Sequence, residues 1–237
     1  MRIELIESAA LGENAYVVVP KGSDRALIVD PGIGTAEPIS NFLKNEGLTA
    51  ESVLLTHGHA DHVWDAAAFD VPVYIPGPDM YRMDDPMAYL PGFGSFGTWV
   101  RPADLREIPN QLFHPIEGMP MLMFPAPGHT EGSAIFLTEI PAGDLLETNA
   151  ALPSVRTGRG EFEVAQPLAF VGDVIFAGSV GRTDLPGGDE TQMRHSLRTL
   201  ANALDPATWL LPGHGPATNW QGEQSTNPYV KRAKELG

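Results

Sequence analysis

Residues 56–62 read Thr-His-Gly-His-Ala-Asp-His, so three imidazoles and a carboxylate directly follow the apolar run Val53, Leu54 and Leu55. Imidazole nitrogen and carboxylate oxygen together suit zinc, iron or manganese, whereas calcium and magnesium prefer oxygen alone. Side chains at i and i+2 of an extended segment point the same way, so His57 and His59 converge on one ion as a strand ends. Ala60 begins a helix-compatible stretch, which sends Asp61 and His62 off in other directions, within reach of a second ion. A bound divalent ion lowers the pKa of water from about 15.7 to about 7, and two ions roughly 3.5–4 Å apart also polarise a carbonyl. Hydrolysis is therefore the chemistry to expect.

The same setting recurs further along. His129 stands in Pro-Gly-His-Thr, Asp173 in Val-Gly-Asp and His214 in Pro-Gly-His-Gly, each just after an apolar run of strand length. Five of the 7 histidines, His57, His59, His62, His129 and His214, fall in this context, which scattered surface histidines would not produce. His195, inside an amphipathic helix pattern, and His114, beside a proline, read instead as surface or packing residues. With no cysteine, the chain has no thiolate ligand, disulfide or cysteine nucleophile. It also lacks a Gly-x-Ser-x-Gly elbow and a Gly-x-x-x-x-Gly-Lys-[Ser/Thr] phosphate loop.

Positioning these residues requires strands that end beside one another. Apolar or alternating runs predict strands at 3–6, 15–19, 26–29, 53–55, 71–75, 119–124, 134–137, 168–171 and 209–211. Helical spacing predicts helices at 35–46, capped by Thr35 and stopped by Gly47, at 61–69 and at 189–204, with a short closing helix at 227–236. The pattern favours two sheets packed face to face with helices outside, in a single α+β domain spanning residues 1–237. Segments 77–110 and 138–167 lack this periodicity and read as lid or insertion segments. Tyr81, Tyr89, Phe93, Phe96 and Trp99 in the first either line an acyl or thiol pocket, pack in the core or form an oligomer contact.

Taken with Asp30-Pro31-Gly32, these motifs resemble the metallo-β-lactamase superfamily, whose pattern is His-x-His-x-Asp-His followed by His, Asp and His at strand ends. The resemblance implies an αββα sandwich with two mixed β-sheets. It implies His57, His59 and His129 on one metal, Asp61, His62 and His214 on the other, and Asp173 bridging, with Asp61 and Asp173 as the carboxylates of the reacting centre. It further implies two divalent ions, zinc first, with iron or manganese as alternatives. Residues 177–189, Ala-Gly-Ser-Val-Gly-Arg-Thr-Asp-Leu-Pro-Gly-Gly-Asp, resemble small glyoxalase II-like hydrolases, implying hydrolysis of an S-acyl thioester such as a hydroxyacyl-glutathione. The alternatives are a persulfide dioxygenase with one iron on His57, His129 and Asp173, a lactone or other ester hydrolase, and a noncatalytic metal-binding protein. Segment 138–167 sits where the family has a short hairpin, and the stretch after His214 is short for the helical domain with which glyoxalase II binds glutathione. The thiol carrier is therefore left open.

Two further residues have double readings. Asp30 either orients a ligand histidine or serves as the turn aspartate before Pro31-Gly32. Arg182 either grips a substrate carboxylate or pairs with Asp184 or Asp189. The net charge of −15 opposes nucleic acid and acidic membranes as partners, and the resemblance implies a small-molecule acyl-thiol instead. No long apolar segment or secretory signal is evident, so a cytoplasmic location is expected, and subunit number stays open.

Overall fold

The computed structural model describes residues 1–92, 94, 96–152 and 159–235. One sheet contains β1 (Arg2–Glu7), β2 (Asn14–Val19), β3 (Arg25–Val29), β4 (Thr49–Leu54), β5 (Val73–Ile75), β6 (Leu105–Glu107), β10 (Leu145–Thr148) and β11 (Arg159–Glu161), ordered β11-β10-β1-β2-β3-β4-β5-β6. The other contains β7 (Leu112–Ile116), β8 (Met119–Pro125), β9 (Ala134–Ile140), β12 (Gln166–Gly172), β13 (Trp209–Pro212) and β14 (Thr218–Asn219), ordered β14-β13-β12-β9-β8-β7. Helices α1 (Ala36–Glu46), α2 (Ala60–Val63), α3 (Glu190–Ala203), α4 (Trp220–Thr226) and α5 (Pro228–Glu235) complete the fold.

Strand β2 shows why the layers stack as they do. All six of its residues are buried, because alternate side chains serve two different interiors. Val18, with Ile3, Leu27 and Leu54, meets Met121, Phe136 and Phe170 of the facing sheet. Val17, with Ile28 and Val53, packs beneath Ile39 and Leu43 of α1. Across the molecule, Ala169, Val171 and Leu210 lie under Met193, Leu197 and Leu200 of α3 and Val230 of α5. The result is the αββα order of two mixed sheets that the sequence led us to expect.

The connections put the chemistry at one edge. Strands β3 and β4 are parallel, as are β12 and β13, while β8 and β12 are both antiparallel to β9 and so share a direction. The residues that follow β3, β4, β8, β12 and β13 therefore gather at neighbouring strand ends. Backbone bonds link the two sheets there, from Ala134 N to Thr56 O (3.1 Å) and from Asn14 N to Gly213 O (2.8 Å).

Several local expectations change. The stretch 61–69 is not one helix but the short α2 followed by a 3₁₀ turn at Ala66–Phe69. Thr35 precedes α1 as expected, but its hydroxyl donates to Gly32 O (2.8 Å), and Asp65 Oδ2 instead accepts from Ala36 N (2.9 Å). Gly47 ends α1 in the left-handed region, with φ 67°. Segment 77–110 is partly regular: 3₁₀ turns at Gly77–Asp84 and Pro86–Tyr89 lead to β6. Within 138–167, β9 continues to Ile140, and the intervening chain crosses to the other sheet, where β10 pairs in parallel with β1. Residues 153–158 of that segment, like Phe93 and Leu236, the last position of the expected 227–236 helix, lie outside the described residues. Among the described residues no helix is long and apolar enough to cross a membrane.

Candidate metal centre

All seven residues expected to hold metal converge. His57 and His59 follow β4, Asp61 and His62 lie on α2, His129 follows β8, Asp173 follows β12 and His214 follows β13. Donor atoms of His57, His59 and His129 lie within 4.8 Å of one another, as do those of Asp61, His62 and His214. Asp173 stands between the two sets: Oδ2 is 3.4 Å from His129 Nε2 and 3.7 Å from His214 Nε2, and Oδ1 is 3.3 Å from His62 Nε2. His214 Nε2 lies 3.3 Å from Asp61 Oδ2.

The donor set fits divalent ions on physical grounds. His57 Nε2 and Asp61 Oδ1 are buried with no hydrogen-bond partner, and the contact between His62 Nε2 and Asp173 Oδ1 is too poorly aligned to satisfy either atom. Polar atoms buried in this way are costly, so a cluster of them facing a common centre marks a place for a ligand. His59 Nδ1 and His129 Nε2 face each other across 2.8 Å. Burial pushes His59 down to about 3, and burial with the adjacent His62 and His129 holds His57 well below the usual imidazole value, so both rings present lone pairs. Burial alone would lower His62 too, but the surrounding Asp173 and Asp61 carboxylates outweigh it and raise its pKa well above normal. Burial opposes ionisation of Asp173, yet His62 and His129 overcome it and hold its carboxyl below the ordinary range. The cluster thus sets the Asp61 and Asp173 carboxylates beside imidazole lone pairs, a combination suited to a cation.

Further contacts hold three of the imidazoles, those of His62, His129 and His214. Asp30, 2% exposed, accepts from Thr56 N (2.7 Å) and Thr56 Oγ1 (2.6 Å), and its Oδ2 sits 3.1 Å from His62 Nδ1. It therefore orients the His62 ring, leaving Nε2 of that ring facing the centre. His129 Nδ1 lies 2.7 Å from Arg182 O, and His214 Nδ1 lies 3.1 Å from Gly12 O. A Cβ on Gly213 would collide with Asp173 Oδ1 and with His62, which explains why glycine precedes His214. We expect Asp30→Asn to weaken metal affinity by about 10- to 100-fold, because an amide cannot accept from both Thr56 and His62. Competition titration against a chromophoric chelator measures this, and wild-type affinity would remove Asp30 from the role.

The sequence reading missed a second support. Asp79, fully buried, accepts from Gly58 N (2.7 Å) and Thr130 Oγ1 (2.7 Å) through Oδ2, and from Gly132 N (2.7 Å) and Arg82 Nε (3.2 Å) through Oδ1. Arg82, also fully buried, reaches Glu131 and Pro186 O (2.9 Å) and lies over the Tyr89 ring at 4.5 Å. One ion pair thereby ties together the loops carrying His57 and His59, His129, and the stretch after Asp173. Glu13 was missed as well. It is fully buried, 3.9 Å from His62 Nδ1, and burial raises its pKa well above normal. An isolated acid in an irregular stretch carries no sequence signal, so neither Asp79 nor Glu13 was detectable.

Above the centre opens a cleft of about 360 Å³, whose walls include Leu11, Leu90, Phe176, Val180 and Leu185 beside His59, Asp61, His129, Asp173 and His214. Segment 77–110 contributes Leu90, whereas none of its described aromatics lines the cleft: Tyr81 packs against Tyr89, and Phe96 and Trp99 against Trp64. Arg182 also lines the cleft, with its guanidinium bound to Asp184 at 2.7 and 2.8 Å. His114 and His195 are both exposed and remote from the cluster.

The profile of the metallo-beta-lactamase superfamily matches residues 9–214. The probable metallo-hydrolase YqgX of Bacillus subtilis is 31% identical, covering 92% of each chain. The hydroxyacylglutathione hydrolase GloC of Haemophilus influenzae is 28% identical, covering 97% of this chain and 98% of its own. Among solved structures, the BLEG-1 B3 metallo-beta-lactamase superposes with a TM-score of 0.76 at 29% identity, covering 96% of this chain and 99% of its own. TTHA1623 in a di-iron-bound form superposes with a TM-score of 0.71 at 29% identity, covering 95% and 98%.

Proposed function

We propose that this chain, which belongs to the metallo-beta-lactamase superfamily, is a metal-dependent hydrolase whose substrates are S-acyl thioesters. His57, His59 and His129 would hold one divalent ion, Asp61, His62 and His214 a second, and Asp173 would touch both. Zinc is the first expectation, and the di-iron form of TTHA1623 keeps iron in view. Bound there, such ions supply Lewis acidity, making water nucleophilic near neutral pH and polarising the acyl carbonyl.

The single observation that carries the thioester reading is the poverty of the cleft in proton donors. Apart from the residues of the metal centre, the polar side chains among the described lining residues are Ser179 and Arg182. Neither is suited to protonate a poor leaving group: a serine hydroxyl is too weak an acid, and a guanidinium does not give up its proton. A thiolate departs with little protonation. In the overall reaction water's oxygen joins the acyl carbon, the carbon–sulfur bond breaks, and thiol and carboxylic acid form, with the acid's proton released to solvent. Leu90, Leu185 and Val180 exclude water from around the acyl group, and the Arg182 carbonyl keeps His129 oriented. The likeness to GloC, named for hydrolysis of hydroxyacylglutathione, supports the same reading.

Elemental analysis of the purified protein beside assays with S-lactoylglutathione and a persulfide tests the proposal. Two metals per chain with thioester turnover in the absence of oxygen is the expected result. One iron per chain with oxygen uptake on the persulfide would overturn it in favour of the dioxygenase. Arg182→Ala should raise KM about tenfold for thioesters with an anionic carrier, the equivalent of one charge-assisted hydrogen bond. An equal rise for an uncharged carrier would show that Arg182 only shapes the wall.

A further inference from the structure

Val180 and Arg182 line the reaction cleft and also a second cavity of about 390 Å³, so the two adjoin across the lip that these residues form. Met193 and Leu197 of α3 contribute to its apolar lining, and Tyr229 of α5 forms part of its wall. Three arginines, Arg182, Arg194 and Arg232, also line it. Asp184 holds the first, and Glu190 holds the second at 3.0 Å. Arg232 has no hydrogen-bond or ion-pair partner among the described residues and is exposed. Three guanidinium groups against two carboxylates leave this cavity net positive, in a chain where acidic residues outnumber basic ones by 30 to 15. A local field opposite to the global one attracts an anion, and the apolar lining favours a molecule with a substantial uncharged body.

We propose that this cavity is the subsite for the thiol carrier: an elongated thiol whose far end bears carboxylate or phosphate, engaged by Arg232 and Arg194. The inference rests on the thioester reading and deepens it. The acyl group lies over the metal centre, the sulfur passes the Val180–Arg182 lip, and the carrier's body lies along Met193 and Tyr229. A planar guanidinium accepts either anion in a paired geometry, so both chemistries share the site. Placement on α3 and α5 gives the subsite rigid walls without any additional domain.

Calorimetric titration of the metal-loaded protein with S-methylglutathione and, separately, with coenzyme A tests this without turnover. The first probe offers carboxylates, the second phosphates, and the tighter binder identifies the end group. At least one probe should bind, and Arg232→Ala and Arg194→Ala should each weaken it about tenfold, with affinity falling as salt rises. Failure of both probes to bind, or equal binding to wild type and both variants, would overturn the subsite. If a probe binds and the variants weaken it while no thioester is hydrolysed, the subsite stands and the proposed reaction fails. In kinetics, Arg232→Ala should lower kcat/KM at least about tenfold more for the matching anionic thioester than for an S-acyl-N-acetylcysteamine.

Discussion

Asp173→Ala is expected to lower thioester turnover by more than about a hundredfold and to lower metal content, because it deletes a carboxylate that stands between the two histidine sets. With Asp173 gone, His62 and His129 lose the neighbouring negative charge that would help hold a cation. Asp173→Asn distinguishes charge from shape: the amide fills the same space beside Gly213, but it is a neutral and much weaker donor to a cation. It too should lose metal, and retention of both metals with full activity would refute the bridging role. Because the residue stands in a loop after β12, and its charge is not an internal anchor of the sheet, the fold should survive either change.

Asp79→Ala should destabilise the protein by about 3–5 kcal/mol, the cost of leaving one member of a buried ion pair without the other. The low end of that range is the better expectation, since Arg82 keeps Glu131 and Pro186 O as partners. Gly58 N, Gly132 N and the Thr130 hydroxyl would lose their acceptor, so the loops carrying His59 and His129 would no longer be held at a fixed spacing. Denaturant titration measures the first effect, and metal affinity of the still-folded variant measures the second. Metal loss should fall chiefly on the set His57, His59 and His129, because Asp61, His62 and His214 make no contact with Asp79. A stability change below about 1 kcal/mol would mean that water replaces the carboxylate, and the clamp would carry no weight.

The sequence by itself brought out the candidate donor residues and determined the layered fold. His57 and His59 were legible because the two-residue period of a strand fixes their common direction, and His129, Asp173 and His214 because each follows an apolar run that must be a buried strand. The burial of α1 and α3 was legible for the same reason, since apolar spacing along a helix specifies which face turns inward. Only the tertiary structure decided what lies around the donors. Asp79 reaches loops as much as 53 residues away, and Arg182 supports His129 through its backbone oxygen, which no side-chain identity encodes. Likewise, segment 138–167 carries no period that tells whether it dangles or crosses to pair with β1. Periodicity is a property of neighbouring residues and survives in the sequence, whereas a hydrogen bond between distant loops depends on how whole sheets are stacked.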